Sequence, residues 1–189
     1  MFKRLALAAA LTLSMSASAL AASYTIDTKG AHASINFRTL HLGFSFLTGR
    51  FDTFSGKFDF DPKNPEAGKV TLEIDTNSLN TNHAERDNHL RSKDFFEVEA
   101  FPTATFVSTS IKKTGDKTAV ITGDLTIRKV TKSVDLNTTY IGGGDDPWGN
   151  VRQGFTATTS IVPADFGMPH GVAKGTVELA IEVEGILDK

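Results

Sequence analysis

The sequence contains no cysteine, and this absence excludes several kinds of chemistry and one common way of stabilising a fold. Without a thiol the protein has no cysteine nucleophile, no disulfide and no cysteine to carry a lipoprotein anchor. Because no disulfide can cross-link the chain, the fold must rely on its apolar core. Its 189 residues suffice for a single domain that buries most of its surface without cross-links.

Polar aromatic residues and a surplus of basic residues are also scarce. The chain has two Tyr and one Trp but 14 Phe, and its formal net charge is −2. A mildly acidic chain offers no footprint for nucleic acid and no polybasic patch for anionic lipids. Because phenylalanine rings carry no polar group, they favour a dry interior. The composition therefore indicates either a well-filled β core or an apolar cavity that accepts a ligand.

The only long apolar run lies at the start of the chain. Lys3 and Arg4 precede an uncharged stretch over residues 5–15, and mainly small residues follow up to Ala21. This three-part layout predicts a secretory signal peptide over residues 1–21, cleaved after Ala21. The run is too short for a membrane span, which needs about 20 apolar residues. We therefore expect a mature domain over residues 22–189 in the bacterial periplasm.

Apolar and polar residues alternate with a period of two through most of the mature chain. Val70, Leu72 and Ile74 share one face of such a run, and the whole pattern predicts about eight or nine strands. The parity changes after Phe51, which predicts a bulge or bend near residues 52–53. Strands with one apolar face pack as a sandwich or close into a barrel. The alternation does not choose between the two.

One segment breaks this alternation and has few apolar side chains. With Thr81 or Asn82 as the N-cap and acidic residues soon after, it predicts a short helix near residues 82–94. Two interpretations of its charges stay open. Arg86 and Arg91 belong to an ion-paired surface helix, or the helix covers a barrel mouth and these arginines approach the polar head of a ligand.

The residue patterns of known catalytic and metal sites are missing. No His-Glu-x-x-His pair and no Gly-x-Ser-x-Gly elbow occur in the sequence. His83 and Asp87 could share a helix face, but His89 lies on another side, so no metal site is predicted. Asp145 and Asp146 lie in a glycine-rich segment that a turn explains most simply.

Several segments resemble the YceI-like family of bacterial periplasmic proteins. The most specific is the stretch TNHAERDNHLRSKDFF over residues 81–96. Other matching segments follow the family order and cover nearly the whole mature chain, apart from a variable region around residues 166–172. These segments are 24–27, 32–38, 41–43, 49–51, 54–58, 101–106, 123–126, 130–132 and 144–148.

The resemblance implies an all-β fold, an eight-stranded antiparallel lipocalin-like barrel with a long hydrophobic cavity. It implies binding of polyisoprenoid lipids, such as isoprenoid quinones or their precursors, or of other long-chain amphiphiles. No enzymatic activity, cofactor or metal is implied, and members of the family are often homodimers. A membrane donor or acceptor protein is a further expected partner, whereas nucleic acid is not.

The expected binding site has two parts, chosen from strand parity and from the resemblance. The polar head of the ligand is expected to meet Asn82, Arg86, Arg91 and Asp94. The apolar cavity wall is expected to include Ile35, Phe37, Phe44, Phe46, Phe51, Phe54, Phe58, Leu72, Ile74, Phe95, Phe96 and Phe106.

Two other functions stay open on the residues alone. A lipid- or amide-processing enzyme would need titratable groups that converge in one pocket. Its candidates are His32, His41, Asp145 and Asp146. A structural or stress-response module would instead have its Phe-rich interior packed solid and would bind no ligand.

Overall fold

The alternating runs form eleven strands within residues 21–169 and 175–189, which are the residues that the computed structural model describes. In the first strand Tyr24 and Ile26 are buried whereas Ser23 and Thr25 are exposed, as a period of two requires. The strands are β1 (Ala22–Ile26), β2 (Ser34–His41), β3 (Ser45–Phe51), β4 (Phe54–Phe60), β5 (Lys69–Asp75), β6 (Leu79–Asn80), β7 (Thr103–Lys113), β8 (Thr118–Ile127), β9 (Val130–Asp145), β10 (Val151–Ile161) and β11 (Val177–Leu187).

Eight of these strands close into a barrel. The order around the ring is β1, β4, β5, β7, β8, β9, β10 and β11, and Leu187 of β11 pairs with Tyr24 of β1 to complete it. All of these pairings are antiparallel. A closed ring of eight strands has an interior just wide enough for side chains or one small ligand. The predicted eight-stranded antiparallel barrel is confirmed, and the sandwich is excluded.

The other three strands extend one side of the ring. Residues 185–187 of β11 pair with β1, whereas residues 177–182 pair with β2. β2 pairs with β3, and the end of β3 pairs with the two-residue β6. Residues 52–53 interrupt the extended chain between β3 and β4, at the position where the change of parity predicts a bend. The β2–β3 hairpin therefore continues the barrel wall beyond the end of β1.

Helix α1 (Ala84–Arg91) follows β6 and confirms the predicted short helix. Its N-cap is His83, whose Nδ1 accepts a hydrogen bond from the Arg86 N–H at 3.2 Å. The predicted N-cap, Thr81 or Asn82, is therefore wrong. Thr81 is buried and has a different role, because its N–H and hydroxyl both donate to the carboxylate of Asp87. Short 3-10 helices span Pro65–Ala67, Thr76–Ser78 and Pro163–Phe166.

The core consists of two apolar clusters. The larger includes Phe95, Phe106, Phe166 and Met168 and lies at the α1 end of the barrel, and the smaller is centred on Tyr24, Ile26 and Phe58. Within the described residues, no helix has the length and apolar content needed to cross a bilayer. The predicted signal peptide, except for Ala21, and residues 170–172 of the variable region lie outside the described residues.

Candidate functional site

The barrel encloses an apolar cavity of about 150 Å³, and every strand of the ring contributes to its wall. An apolar cavity of this size stays dry and accepts a molecule about the size of benzene. Pockets for larger ligands span roughly 300 Å³ or more. A long hydrocarbon chain therefore requires this cavity to widen.

Half of the predicted wall residues line the cavity. They are Ile35, Phe54, Phe58, Leu72, Ile74 and Phe106. They lie on β2, β4, β5 and β7, and each is buried or half-buried. In β2, β4 and β5 the alternation runs through these residues, and in β7 Phe106 lies before an irregularity between Ser108 and Ser110.

Phe44 and Phe46 were also predicted to line the cavity, and that prediction is wrong. Their exposed fractions are 86% and 52%. Phe46 lies opposite Leu40 on the outer face of the hairpin, since it is an odd number of residues away from the inward-facing Phe51. Phe44 belongs to the turn between β2 and β3, where strand parity no longer applies.

The other four predicted wall residues pack outside the cavity wall, towards the α1 end of the barrel. The ring centroid of Phe51 lies 5.8 Å from that of Phe37 and 5.8 Å from that of Phe96. Phe95 is buried in the larger core cluster. These rings therefore form a row from the β2–β3 hairpin to the segment that follows α1.

The prediction also left out most of the wall that the later strands supply. The same alternation marks these residues, but the predicted set was drawn almost entirely from the first half of the chain. Besides Val70 on β5, the residues it missed include Ile111, Ile121, Leu125, Val134, Leu136, Phe155, Leu179, Ile181 and Val183 on the later strands.

An aromatic cluster borders the cavity at the end away from α1. Tyr24 stacks on Phe58 with centroids 5.1 Å apart, and Phe155 meets Phe58 edge-on at 5.3 Å. The Tyr140 hydroxyl donates to Gln153 Oε1 at 2.9 Å, and Gln153 Nε2 donates to the Tyr24 hydroxyl at 3.4 Å. Both tyrosines of the chain thus share one buried amide beside an apolar wall.

Two of the predicted head-group residues, Arg86 and Arg91, fasten α1 to the preceding chain. Arg86 donates through Nε and Nη2 to the hydroxyl and the carbonyl of Thr81, each at 2.8 Å. Arg91 donates through Nε to the Asn77 carbonyl at 2.8 Å and through Nη2 to the Leu79 carbonyl. Their donors are directed to the backbone around β6 and not into the cavity.

The other two predicted head-group residues also lie apart from the cavity. Asp94 accepts a hydrogen bond from His89 Nε2 at 3.2 Å, and both side chains are half-exposed. Asn82 is exposed and borders an open groove of about 1130 Å³ on the outer face of the sheet. Amides, hydroxyls and charged side chains line most of this groove, which suits water better than a lipid tail.

Arg152 joins three acidic side chains on the outside of the barrel. Its Nη1 lies 2.6 Å from Asp27 and 3.2 Å from Glu184, and its Nε lies 2.7 Å from Asp146. The hydrogen bond from Arg152, aided by the N–H of Gly30, lowers the pKa of Asp27 to about 2. Burial opposes the ionisation of Asp146, but hydrogen bonds from Asn150 and Arg152 outweigh it and hold the pKa of Asp146 well below its usual range.

The residues considered for enzymatic chemistry do not meet inside the cavity. His32 lies 3.1 Å from Asp27 at the edge of the Arg152 network, and His41 ends β2 at the hairpin. Single ligand atoms of Asp27, His32 and Glu184 lie within 4.8 Å of one another, a spacing that a metal ion could use. Arg152 already contacts both carboxylates, so an ion-pair network explains this cluster.

Comparison with known sequences gives a consistent result. A family model described as a YceI-like domain matches residues 24–185. A UPF0312 protein from Ectopseudomonas mendocina is 53% identical over 170 residues, which cover 89% of each chain. Protein YceI from Salmonella arizonae is 54% identical over 174 residues, which cover 91% of each chain.

Solved structures share the barrel. The YceI protein of Campylobacter jejuni is 31% identical, with a TM-score of 0.72 over 79% of this chain and 90% of that one. BcnA from Burkholderia cenocepacia has the same fold at 23% identity, with a TM-score of 0.75 over 84% and 98%. So does a polyisoprenoid binding domain from Saccharophagus degradans at 18% identity, with a TM-score of 0.67 over 88% and 99%. By the matching family model and these relatives, the chain belongs to the YceI-like family.

Proposed function

We propose that this protein is a periplasmic carrier that binds polyisoprenoid lipids, such as isoprenoid quinones or their precursors, in the barrel cavity. The observation that carries the proposal is the almost wholly apolar cavity lined by every strand of a closed ring. The domain from Saccharophagus degradans, which shares the fold, is described as polyisoprenoid binding. Among the described residues that line the cavity, Asp59 is the one with a titratable side chain, which supports binding and not catalysis.

The apolar wall also suits a ligand built from repeated hydrocarbon units. Each methylene transferred from water into such a wall contributes about 0.8 kcal/mol, and ordering the chain and the protein takes part of that gain back. Because the cavity measures about 150 Å³, binding requires side chains to move aside. Phe54, Phe60 and Phe155 are half-buried and line the wall, so we propose that these rings turn to admit the chain.

Export and partners form the second part of the proposal. The leader over residues 1–21 supports export and cleavage after Ala21, which N-terminal sequencing of protein from the periplasmic fraction would test. The resemblance supports a homodimer and a membrane donor or acceptor for the lipid. Sedimentation of the purified protein at several concentrations would measure the first of these.

A substitution that fills the cavity tests the binding site directly. Ala157 lines the cavity from β10, whereas Ala180 is exposed on the outer face of the neighbouring β11. We expect Ala157→Phe to abolish saturable binding of polyprenols, and Ala180→Phe to leave it unchanged, with circular dichroism showing that both variants fold. Equal binding by both variants would place the ligand elsewhere.

The bound molecule can be identified independently of any chosen probe. Native mass spectrometry of protein purified from its own cells, followed by organic extraction, should reveal a prenyl lipid in unaltered protein and in Ala180→Phe. An empty protein that also takes up no polyprenol in detergent solution would overturn the proposal.

A further inference from the structure

The tip of the β2–β3 hairpin carries an unusual group of exposed apolar side chains. Leu40, Leu42, Phe44 and Phe46 have exposed fractions of 54%, 68%, 86% and 52%. We call these four residues the tip patch. Leu40 and Phe46 are cross-strand partners, so the patch is continuous from the strands into the turn. Among the described residues these four side chains stay exposed, and a contiguous exposed apolar patch of this kind marks an interaction site.

The turn itself is built to project the patch. The Phe44 N–H donates to the His41 carbonyl at 2.9 Å, and the two central residues, Leu42 and Gly43, have φ values of 52° and 84°. Two positive φ values define the tight hairpin turn that normally selects Asn or Gly. A leucine in the left-handed region is strained, and here the strain places an apolar side chain at the outermost point of the hairpin.

The charges around the patch are compatible with an apolar partner. The chain contains no Asp or Glu from residue 28 to residue 51, although it has 22 acidic residues in all. Arg38 lies over the Phe46 ring at 4.6 Å and pairs with Glu178 at 2.7 Å at the base of the hairpin. The tip can therefore enter an apolar layer without burying a carboxylate, which would be costly.

The hairpin that carries the patch also lies beside the cavity, because Ile35 of β2 lines it. Phe37 lies on the same hairpin, and its ring is the first of the row that continues through Phe51 to Phe96. Thr159 and Leu179 border both the outer groove beside the hairpin and the apolar cavity. Docking at the tip would thus hold this side of the barrel against the surface that the hairpin contacts.

We propose that the tip patch inserts into the interfacial layer of a lipid bilayer and docks the protein there for exchange of its lipid. This inference rests on the proposed function, since a carrier of polyisoprenoids must meet the membrane that holds them. A convex apolar tip suits a deformable lipid surface. Most residues that line the large outer groove of a second copy carry amide, hydroxyl or charged side chains, which match four apolar side chains poorly.

Flotation with vesicles of phosphatidylethanolamine and phosphatidylglycerol tests the proposal. The double variant Leu42→Ser with Phe44→Ser removes the outermost part of the patch. The control is Val107→Ser with Ile141→Ser, which removes two apolar side chains that are 50% and 59% exposed but lie on β7 and β9. We expect the tip variant to lose at least tenfold in vesicle binding, and the control to bind as the unaltered protein does.

A fluorescence experiment locates the inserted segment. Trp148 is the only tryptophan of the chain and lies in the turn between β9 and β10, so a protein with Trp148→Phe and Phe44→Trp reports on the tip alone. We expect its emission to shift to shorter wavelength with vesicles, whereas Trp148 in the unaltered protein does not shift. Binding of polyprenols in detergent solution should be the same in the tip variant and the unaltered protein.

Each outcome bears on one proposal. Absence of vesicle binding, or equal binding by tip and control variants, would overturn membrane docking while leaving prenyl binding to its own test. Dissociation of a dimer by the tip substitutions would assign the patch to a second copy and also overturn docking. Vesicle binding without polyprenol binding in detergent would overturn only the carrier function.

Discussion

The guanidinium of Arg152 donates to the carboxylate of Asp27 at 2.6 Å, although the two residues are 125 positions apart in the sequence. Arg152 lies on β10, Asp27 directly follows β1, and the N–H of Asp27 donates to the Glu184 carbonyl on β11 at 2.8 Å. The ion pair therefore ties three neighbouring strands together where the ring closes between β11 and β1.

Replacing Arg152 should weaken the fold measurably. In Arg152→Met the mostly buried carboxylates of Asp27 and Asp146 lose their cation. Because hydrogen bonds to charged groups contribute about 1.5–3 kcal/mol, we expect a loss of about 2–3 kcal/mol in the free energy of unfolding. Arg38→Met is the control, since Arg38 and Glu178 form an exposed pair that contributes at most about 1 kcal/mol. Urea denaturation measures both, and similar losses would contradict the role of the network.

The carboxylate of Asp27 should make the stability of the fold depend on pH. The pKa of Asp27 is about 2 in the folded protein against an ordinary value of 3.8, mainly because Arg152 donates to it. A group whose pKa is lowered by folding stabilises the fold above its unfolded pKa, and that contribution is lost as the pH falls through the folded value. We expect the urea midpoint to fall between about pH 4 and about pH 2, and to fall less in Asp27→Asn. Parallel curves for the two proteins would show that other carboxyls dominate.

A glycine faces an aromatic ring in the smaller core cluster. A Cβ added at Gly185 would lie 2.3 Å from Phe58 Cε1, and the Phe58 ring is fixed between Tyr24 and Phe155. Gly185→Ala must displace that ring, and overpacking of this kind costs about 1–3 kcal/mol. In a Phe58→Leu background the added methyl group should cost less. Urea denaturation of the two single variants and the double variant gives a double-mutant cycle. Additive losses in the free energy of unfolding would contradict the contact between Gly185 and Phe58.

The sequence predicts the strands and the helix because both depend on local patterns, whereas the barrel was expected from the family resemblance and not from the alternation. Alternation through Val70, Leu72 and Ile74 continues without interruption in β5, and all three residues line the cavity. The charged, weakly apolar segment after β6 forms α1 as predicted. The helix is shorter than the expected 82–94, since it spans Ala84–Arg91, and His83 takes the N-cap place that Thr81 or Asn82 was expected to fill.

Other features depend on contacts that local patterns do not record. Phe46 has the same residue type and the same parity as the cavity-lining Phe54, but the bend at residues 52–53 separates their strands, and the register of β2 with β3 places Phe46 on the outer face. Arg86 and Arg91 were expected near a ligand, but the position of α1 against β6 turns them to backbone carbonyls. The cavity volume depends on how rings from opposite strands meet, and this is set by the closure of the barrel.

The buried carboxylate of Asp87 provides a test of how α1 is held. Asp87 accepts hydrogen bonds from the N–H and the hydroxyl of Thr81, whereas Asp94, just after the helix, is half-exposed. Asp87→Ala leaves the buried N–H of Thr81 without its acceptor, so we expect a loss of about 1–3 kcal/mol. Asp94→Ala should cost less than about 1 kcal/mol. Hydrogen exchange of residues 84–91 should accelerate in the first variant only, and equal protection in both would contradict this anchoring role.

The size of the side chain at position 155 should control the size of the cavity, so that a smaller residue enlarges it and a larger one reduces it. Its ring lines the wall and meets Phe58, Phe60 and Tyr140 with centroids 5.1–5.3 Å away. Phe155→Ala removes that ring, so it should lower the free energy of unfolding by up to about 3–5 kcal/mol while raising the uptake of an apolar fluorescent probe. Phe155→Trp adds volume at the same place and should reduce uptake. Because the two substitutions act oppositely at one position, a general loosening of the fold cannot produce both results. Changes of the same sign in probe uptake would show that the ring does not limit access to the cavity.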